Sequence, residues 1–158
     1  PKRLPPENDS KTTLSELKML AKIKPNVDFV ESGDDIKKAF MPLIEKNDLK
    51  VTEEFLSKIL KESGKYIMTL KYHYNRPRPY QLAEFYDLDL GENTLESMKT
   101  PSYPSGHAVQ GYLIGEYLSK VDPHNSKEYR LKGEDIAHSR LVAKANTMRA
   151  RAVVCTNH

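Results

Sequence analysis

Between Thr52 and Tyr74 the apolar residues Phe55, Leu56, Ile59, Leu60, Ile67 and Leu70 return at near-helical spacing, and the run stops at Asn75-Arg76-Pro77-Arg78-Pro79. That period puts one apolar stripe toward a core and the charged residues away from it. Thr52 stands where an N-cap is needed, and Glu53 and Glu54 fall in the first turn, where carboxylates suit the positive end of the helix dipole. The rest of the chain repeats the pattern in shorter pieces separated by prolines. Thr13-Leu14-Ser15-Glu16 fits a capping box ahead of Leu17, Met19, Leu20 and Ile23, which predicts a helix ending before Pro25. A second helix is expected over Asp34 to Phe40, kinked or ended by Pro42. Residues 87–104 read as a loop, after which Ser105 caps a helix with Val109, Tyr112, Leu113, Tyr117 and Leu118 on its inner face, broken by Pro123. A last helix runs from about Lys127 past Arg140. No stretch alternates apolar and polar residues over a strand's length and no internal repeat is visible, so the expected fold is an all-α, single-domain helical bundle.

The Pro-rich, polar residues 1–10 are expected to form an extended arm, and residues 11–158 one helical domain that is incomplete at its C-terminal end. A chain of 158 residues suits one domain and buries enough surface for a core without staples. The single cysteine, Cys155, excludes an internal disulfide. No apolar run approaches the length of a membrane span, which argues against an embedded lipid enzyme. The formal charge of +3 is spread among nearly as many acids as bases, with no aromatic-basic platform, which disfavours a nucleic-acid role. Homo-oligomerisation is left open. The chain starts at Pro1 with no signal peptide in view. It is expected to be periplasmic or secreted if a leader was removed, and cytoplasmic otherwise.

Three clusters carry residue types suited to an oxyanion. Lys71 and Arg78 flank Tyr72 to Pro77; Pro104-Ser105-Gly106-His107 opens a helix; Ser139-Arg140 lies in the last one. Arg offers a planar fork matched to phosphate, Lys a compact charge, and a helix start its unpaired backbone N–H groups. Gly106 allows close approach, the Ser105 hydroxyl can donate, and His107 titrates near neutrality and can protonate a leaving alkoxide. Taken singly, each cluster has an ordinary reading: a solvated helix lysine, a surface arginine between prolines or part of a Pro-rich ligand, a capped helix with a surface histidine.

Their order and spacing resemble the type 2 phosphatidic acid phosphatase and vanadium haloperoxidase superfamily, and within it the soluble class A bacterial acid phosphatases. The family pattern is Lys, six residues, Arg-Pro; then Pro-Ser-Gly-His; then Ser-Arg, five residues, His, three residues, Asp. Lys71, Arg78-Pro79, Pro104 to His107 and Ser139-Arg140 match it in order, and Leu4 to Ser10 resembles the phosphatase entry segment. The resemblance implies phosphoric monoester hydrolysis without a metal or cofactor, vanadate serving at most as a phosphate mimic. It implies a phosphate or small phosphomonoester seat made by Lys71, Arg78, Ser105, Gly106 and Arg140, with His107 as general acid. In the family the third-motif His forms a phosphohistidine and the following Asp orients it. Here those positions are Asn146 and Ala150, so the chain is expected to be impaired, or to be an inactive phosphate-binding member; a vanadate-dependent haloperoxidase ranks last. His158 is a poor substitute nucleophile, and His73 and His138 are expected to face away from the pocket. A shifted reading frame is one hypothesis for the change: Asn146 to Ala150 can be encoded by AAC ACT ATG CGA GCG, which read two nucleotides later gives His-Tyr-Ala-Ser, with Glu at best where the Asp is expected. Codons at Asn146 and Thr147 without that overlap exclude it.

Overall fold

In the computed structural model, which describes residues 4–91 and 95–147, seven α-helices pack with no strand among the described residues. They are α1 (Lys11–Ala21), α2 (Val27–Ser32), α3 (Ile36–Lys46), α4 (Glu53–Tyr74), α5 (Pro79–Phe85), α6 (Gly106–Val121) and α7 (Ser126–Val142). Short 3-10 turns cover Glu96–Lys99 and Pro123–Asn125. Among the described residues no helix is long and apolar enough to cross a membrane.

The signals at the ends of α4 operate as expected. The Thr52 hydroxyl accepts from the Phe55 N–H at 3.1 Å, and Asn75 takes the left-handed conformation that terminates the helix. Helix α1 begins a turn earlier than the capping-box reading. Ser10 is its cap and accepts from the Thr13 N–H at 3.1 Å. Thr13 is buried and donates to the Glu7 carbonyl, while Glu16 lies 3.5 Å from buried Arg76, so neither residue of the expected box caps anything. Helix α3 runs through Pro42 instead of stopping there: Asp35 caps it, and Phe40 and Ile44 on either side of the proline are fully buried. Their packing outweighs the one hydrogen bond that proline removes. Helices α2 and α5 were not expected, because six or seven residues are too few for a period to show.

One core cluster joins α3, α4, α6 and α7 through Phe40, Ile44, Leu56, Ile114, Leu118, Tyr129 and Ile136; a second joins α1, α5 and α7 through Leu17, Leu20, Leu82, Ala83 and Leu141. Helix α6 does not bury the large face expected of it. Leu113 is exposed and Val109, Tyr112 and Tyr117 are only half-buried; the buried stripe is Ala108, Gly111, Ile114, Gly115, Leu118 and Ser119. The reason is close contact with α7. A Cβ at Gly115 would stand 2.7 Å from the Tyr129 carbonyl oxygen, and one at Gly133 would stand 2.7 Å from that of Gly111. Gly111 faces Gly133 and Gly115 faces Tyr129, so the two helices run antiparallel. That register carries the start of α6 to the end of α7 and brings Ser105 to His107 beside Ser139 and Arg140.

Candidate functional site

Lys71 lies in the last turn of α4 and is 4% exposed. Its Nζ donates to the Pro101 carbonyl at 2.8 Å, and its stem passes the first residue of α6, 3.9 Å from where a Cβ on Gly106 would stand. Burial, and then the Arg78 charge, push its ammonium down to about 7.

Arg78 is the residue before α5. Pro79 takes the first helical position, where its missing N–H costs nothing, and Gln81 accepts from the Arg78 N–H at 2.9 Å. The guanidinium is buried and donates five hydrogen bonds: to the Thr100 and Ser97 carbonyls at 2.7 and 2.6 Å, to the Thr100 hydroxyl at 3.2 Å, to the Ala145 carbonyl at 2.9 Å and to Asn146 Oδ1 at 3.4 Å. Burial and the nearby Arg140 charge lower it to about 10.

Arg140 is 1% exposed near the end of α7. Its Nε donates to Ser139 Oγ at 3.1 Å, its Nη2 to the Val30 carbonyl at 3.2 Å, and its Nη1 to Asp34 Oδ1 at 3.4 Å. Burial depresses this group, and the Asp34 carboxylate works in the opposite direction.

At the start of α6 the Ser105 hydroxyl accepts from the Ala108 N–H at 3.2 Å, so its oxygen serves as the helix cap. The N–H groups that open a helix have no carbonyl within it, and here they belong to Gly106 and its neighbours. The Tyr103–Pro104 peptide just before is cis. His107 Nε2 lies 2.8 Å from the Asp34 carbonyl oxygen. A carbonyl only accepts, so Nε2 carries the proton and Nδ1 is left as the acceptor of the neutral ring. Burial first, then the Arg140 charge, push the imidazole down to about 4.

Three of these groups are perturbed by others among them: Lys71 by Arg78, Arg78 by Arg140, and His107 by Arg140 and Lys71. The structure thus brings Lys71, Arg78, Ser105, Gly106, His107 and Arg140 into one locus. Asn146 joins them. It is 3% exposed, its Nδ2 donates to the Ser102 carbonyl at 2.6 Å, and its Oδ1 accepts from Arg78. Ala150 and His158 lie outside the described residues. His73 and His138 are exposed and make edge-on ring contacts with Tyr74 and Phe29. Among the described residues no three His, Cys, Asp or Glu side chains group as ligands for a metal ion.

Two residues escaped the sequence reading. Arg76, two positions before Arg78, is buried and ties Thr147 at 3.0 Å and Thr13 at 3.3 Å to Glu16. The doubled arginine around Pro77 was its only signal. Asp34 had none: in sequence it is the first residue of the helix expected over Asp34 to Phe40, and its contacts with His107 and Arg140 span 73 and 106 positions.

Lys71, Arg78 and Arg140 are all buried, and among the described residues the ion pair they make is that of Arg140 with the Asp34 carboxylate, which leaves the locus short of negative charge. Burying unpaired charge is expensive, and a bound anion relieves that cost. A groove of about 330 Å³ lined by Tyr72, Asn75, Tyr80, Gln81 and Lys99 runs past Thr100 and Pro101, whose carbonyls hold Arg78 and Lys71, but none of Lys71, Arg78, Ser105, Gly106, His107 and Arg140 lines it.

No family model matches the chain. Over 121 residues it is 31% identical to a non-specific acid phosphatase of Salmonella typhimurium, an alignment covering 73% of this chain and 48% of that protein. The chain therefore spans about half the length of this relative.

Proposed function

We propose that this chain, a relative of a bacterial non-specific acid phosphatase, carries a phosphomonoester site of the type 2 phosphatidic acid phosphatase and vanadium haloperoxidase superfamily. The observation that carries the reading is the convergence of Lys71, Arg78, Arg140 and His107 with the N-terminus of α6. Phosphoryl oxygens would accept from the Lys71 ammonium, the Arg140 fork and the amides that begin α6. Arg78 already donates five bonds; the longest, to Asn146 Oδ1 at 3.4 Å, is the one a substrate oxygen would replace. His107 would protonate the leaving oxygen once a bound dianion restores its proton affinity.

The covalent step is where this chain departs from the expected chemistry. A phosphohistidine forms through an imidazole lone pair. The amide nitrogen of Asn146 has its lone pair delocalised into the carbonyl, and both ends of that amide are already hydrogen-bonded. That observation favours a second reading, a member of the fold that holds phosphate or a phosphoester and turns it over poorly or not at all.

The test combines calorimetric titration of inorganic phosphate with p-nitrophenyl phosphate hydrolysis between pH 5 and 7. We expect phosphate binding by the parent chain, weakened roughly ten-fold or more in Lys71→Met, and turnover that rises in Asn146→His. Parent turnover that survives Lys71→Met would place the chemistry elsewhere. Phosphate binding with no hydrolysis selects the second reading.

A further inference from the structure

The turn between α2 and α3 places one residue against two members of the cationic locus at once. The Asp34 main-chain oxygen holds His107 Nε2 at 2.8 Å, and its carboxylate Oδ1 lies 3.4 Å from Arg140 Nη1 and 4.0 Å from His107 Nε2. The turn is pressed onto α7 because residue 33 is glycine: a Cβ there would stand 2.7 Å from Ser139 Oγ. The carboxylate has no capping duty, since Asp35 caps α3 by accepting from the Lys38 N–H at 3.1 Å. It is not packed in place either; the side chain is 60% exposed, whereas its arginine partner is 2% exposed.

We infer that the Asp34 carboxylate is an internal anion that pairs with Arg140 and competes with an incoming oxyanion for it. This rests on the phosphate reading above and adds the residue that limits affinity. The Arg140 donors to Ser139 and Val30 orient the guanidinium independently of Asp34. The Nη1 contact is the long one of the three and the one exchanged. A carboxylate left beside a bound phosphate would repel it, so binding requires Asp34 to swing into solvent, where its exposure already leaves it room.

Asp34→Asn isolates the charge. The amide oxygen still accepts from Arg140, and the main-chain bond to His107 is untouched. We expect the full chain carrying Asp34→Asn to bind inorganic phosphate about three- to ten-fold tighter than the parent near pH 6, in proportion to a lost half-exposed ion pair and lost repulsion. Asp34→Ala, which removes the acceptor as well, is expected to bind tighter than the parent too. A residue that merely positions Arg140 gives the opposite sign, so weaker or unchanged binding in both variants overturns the inference while leaving the site reading intact. If neither the parent nor the variants bind phosphate, the site reading fails and the inference falls with it.

Discussion

His107 shows how much a single residue owes to its surroundings. A free imidazole is half-protonated near pH 6.5, but burial beside Arg140 and Lys71 lowers this one to about 4. A neutral ring at pH 6 has only its Nε2 proton, which the Asp34 carbonyl holds. An oxyanion seated among the same cations reverses the sign of the local field, since an opposite charge within a few ångströms raises an imidazole pKa by about one to three units. Following the His107 ring protons by NMR should show its titration moving upward when phosphate saturates the site. No movement, or a downward one, would mean the anion does not bind beside it. The identity of His107 as a candidate acid was legible from its place after Ser105 and Gly106; the direction of its shift was not, because Arg140 and Asp34 lie 33 and 73 positions away in the chain. Asn146 divides the same way. Its mismatch with a nucleophile was visible by counting from Arg140, whereas its bonds to Ser102 and Arg78 emerged only once the chain after α7 turned back.

At the scale of elements, the crossing of α6 and α7 sets the site's dimensions. Large side chains on α6 suggested the inner face, yet the real contact needs small ones, because backbone atoms of α7 occupy that space. Periodicity reports which residues share a face and says nothing of how near the neighbouring helix comes. Gly115→Ala tests this. Alanine gains up to about 1 kcal/mol of helix propensity over glycine, but its Cβ would meet a main-chain carbonyl at 2.7 Å, which only a shift of the helices relieves. Overpacking of this kind costs about 1 to 3 kcal/mol, so a net loss of a few degrees in Tm is expected on thermal denaturation. An unchanged or raised Tm would show that the crossing yields easily. Thr52 and Ser105 open helices where expected, since a cap acts within four residues. Thr13 does not: tertiary contacts take its hydroxyl and Glu16, and Ser10 caps α1 instead. Arg78-Pro79 looks like a stop in the sequence, but proline at the first helical position also starts a helix, and α5 shows that second use.

For the whole molecule, gathering the cations has a consequence for stability. Lys71 titrates near 10.5 when unfolded and near 7 when folded, so between those values the unfolded chain binds more protons and stability rises with pH. His107, lowered from 6.5 to about 4, makes stability fall as pH drops through that window. With no anion present, Lys71→Met is expected to melt higher than the parent at pH 6, because a buried charge has been replaced by an apolar side chain of similar length. The gap should narrow toward pH 9, where the parent lysine is neutral, and phosphate should raise the Tm of the parent far more than that of the variant. A variant that melts lower than the parent at pH 6 without phosphate would contradict the picture of an uncompensated cluster. The helical class, the main caps and the order of the cationic motifs follow from the sequence alone, because periodicity, capping and spacing are properties of neighbours along the chain. Which face of α6 packs inward, that Asp34 sits on Arg140, and that all five donors of Arg78 are taken were decided only by the tertiary structure. Those facts depend on how near distant segments come, and that distance is set by the whole packed core.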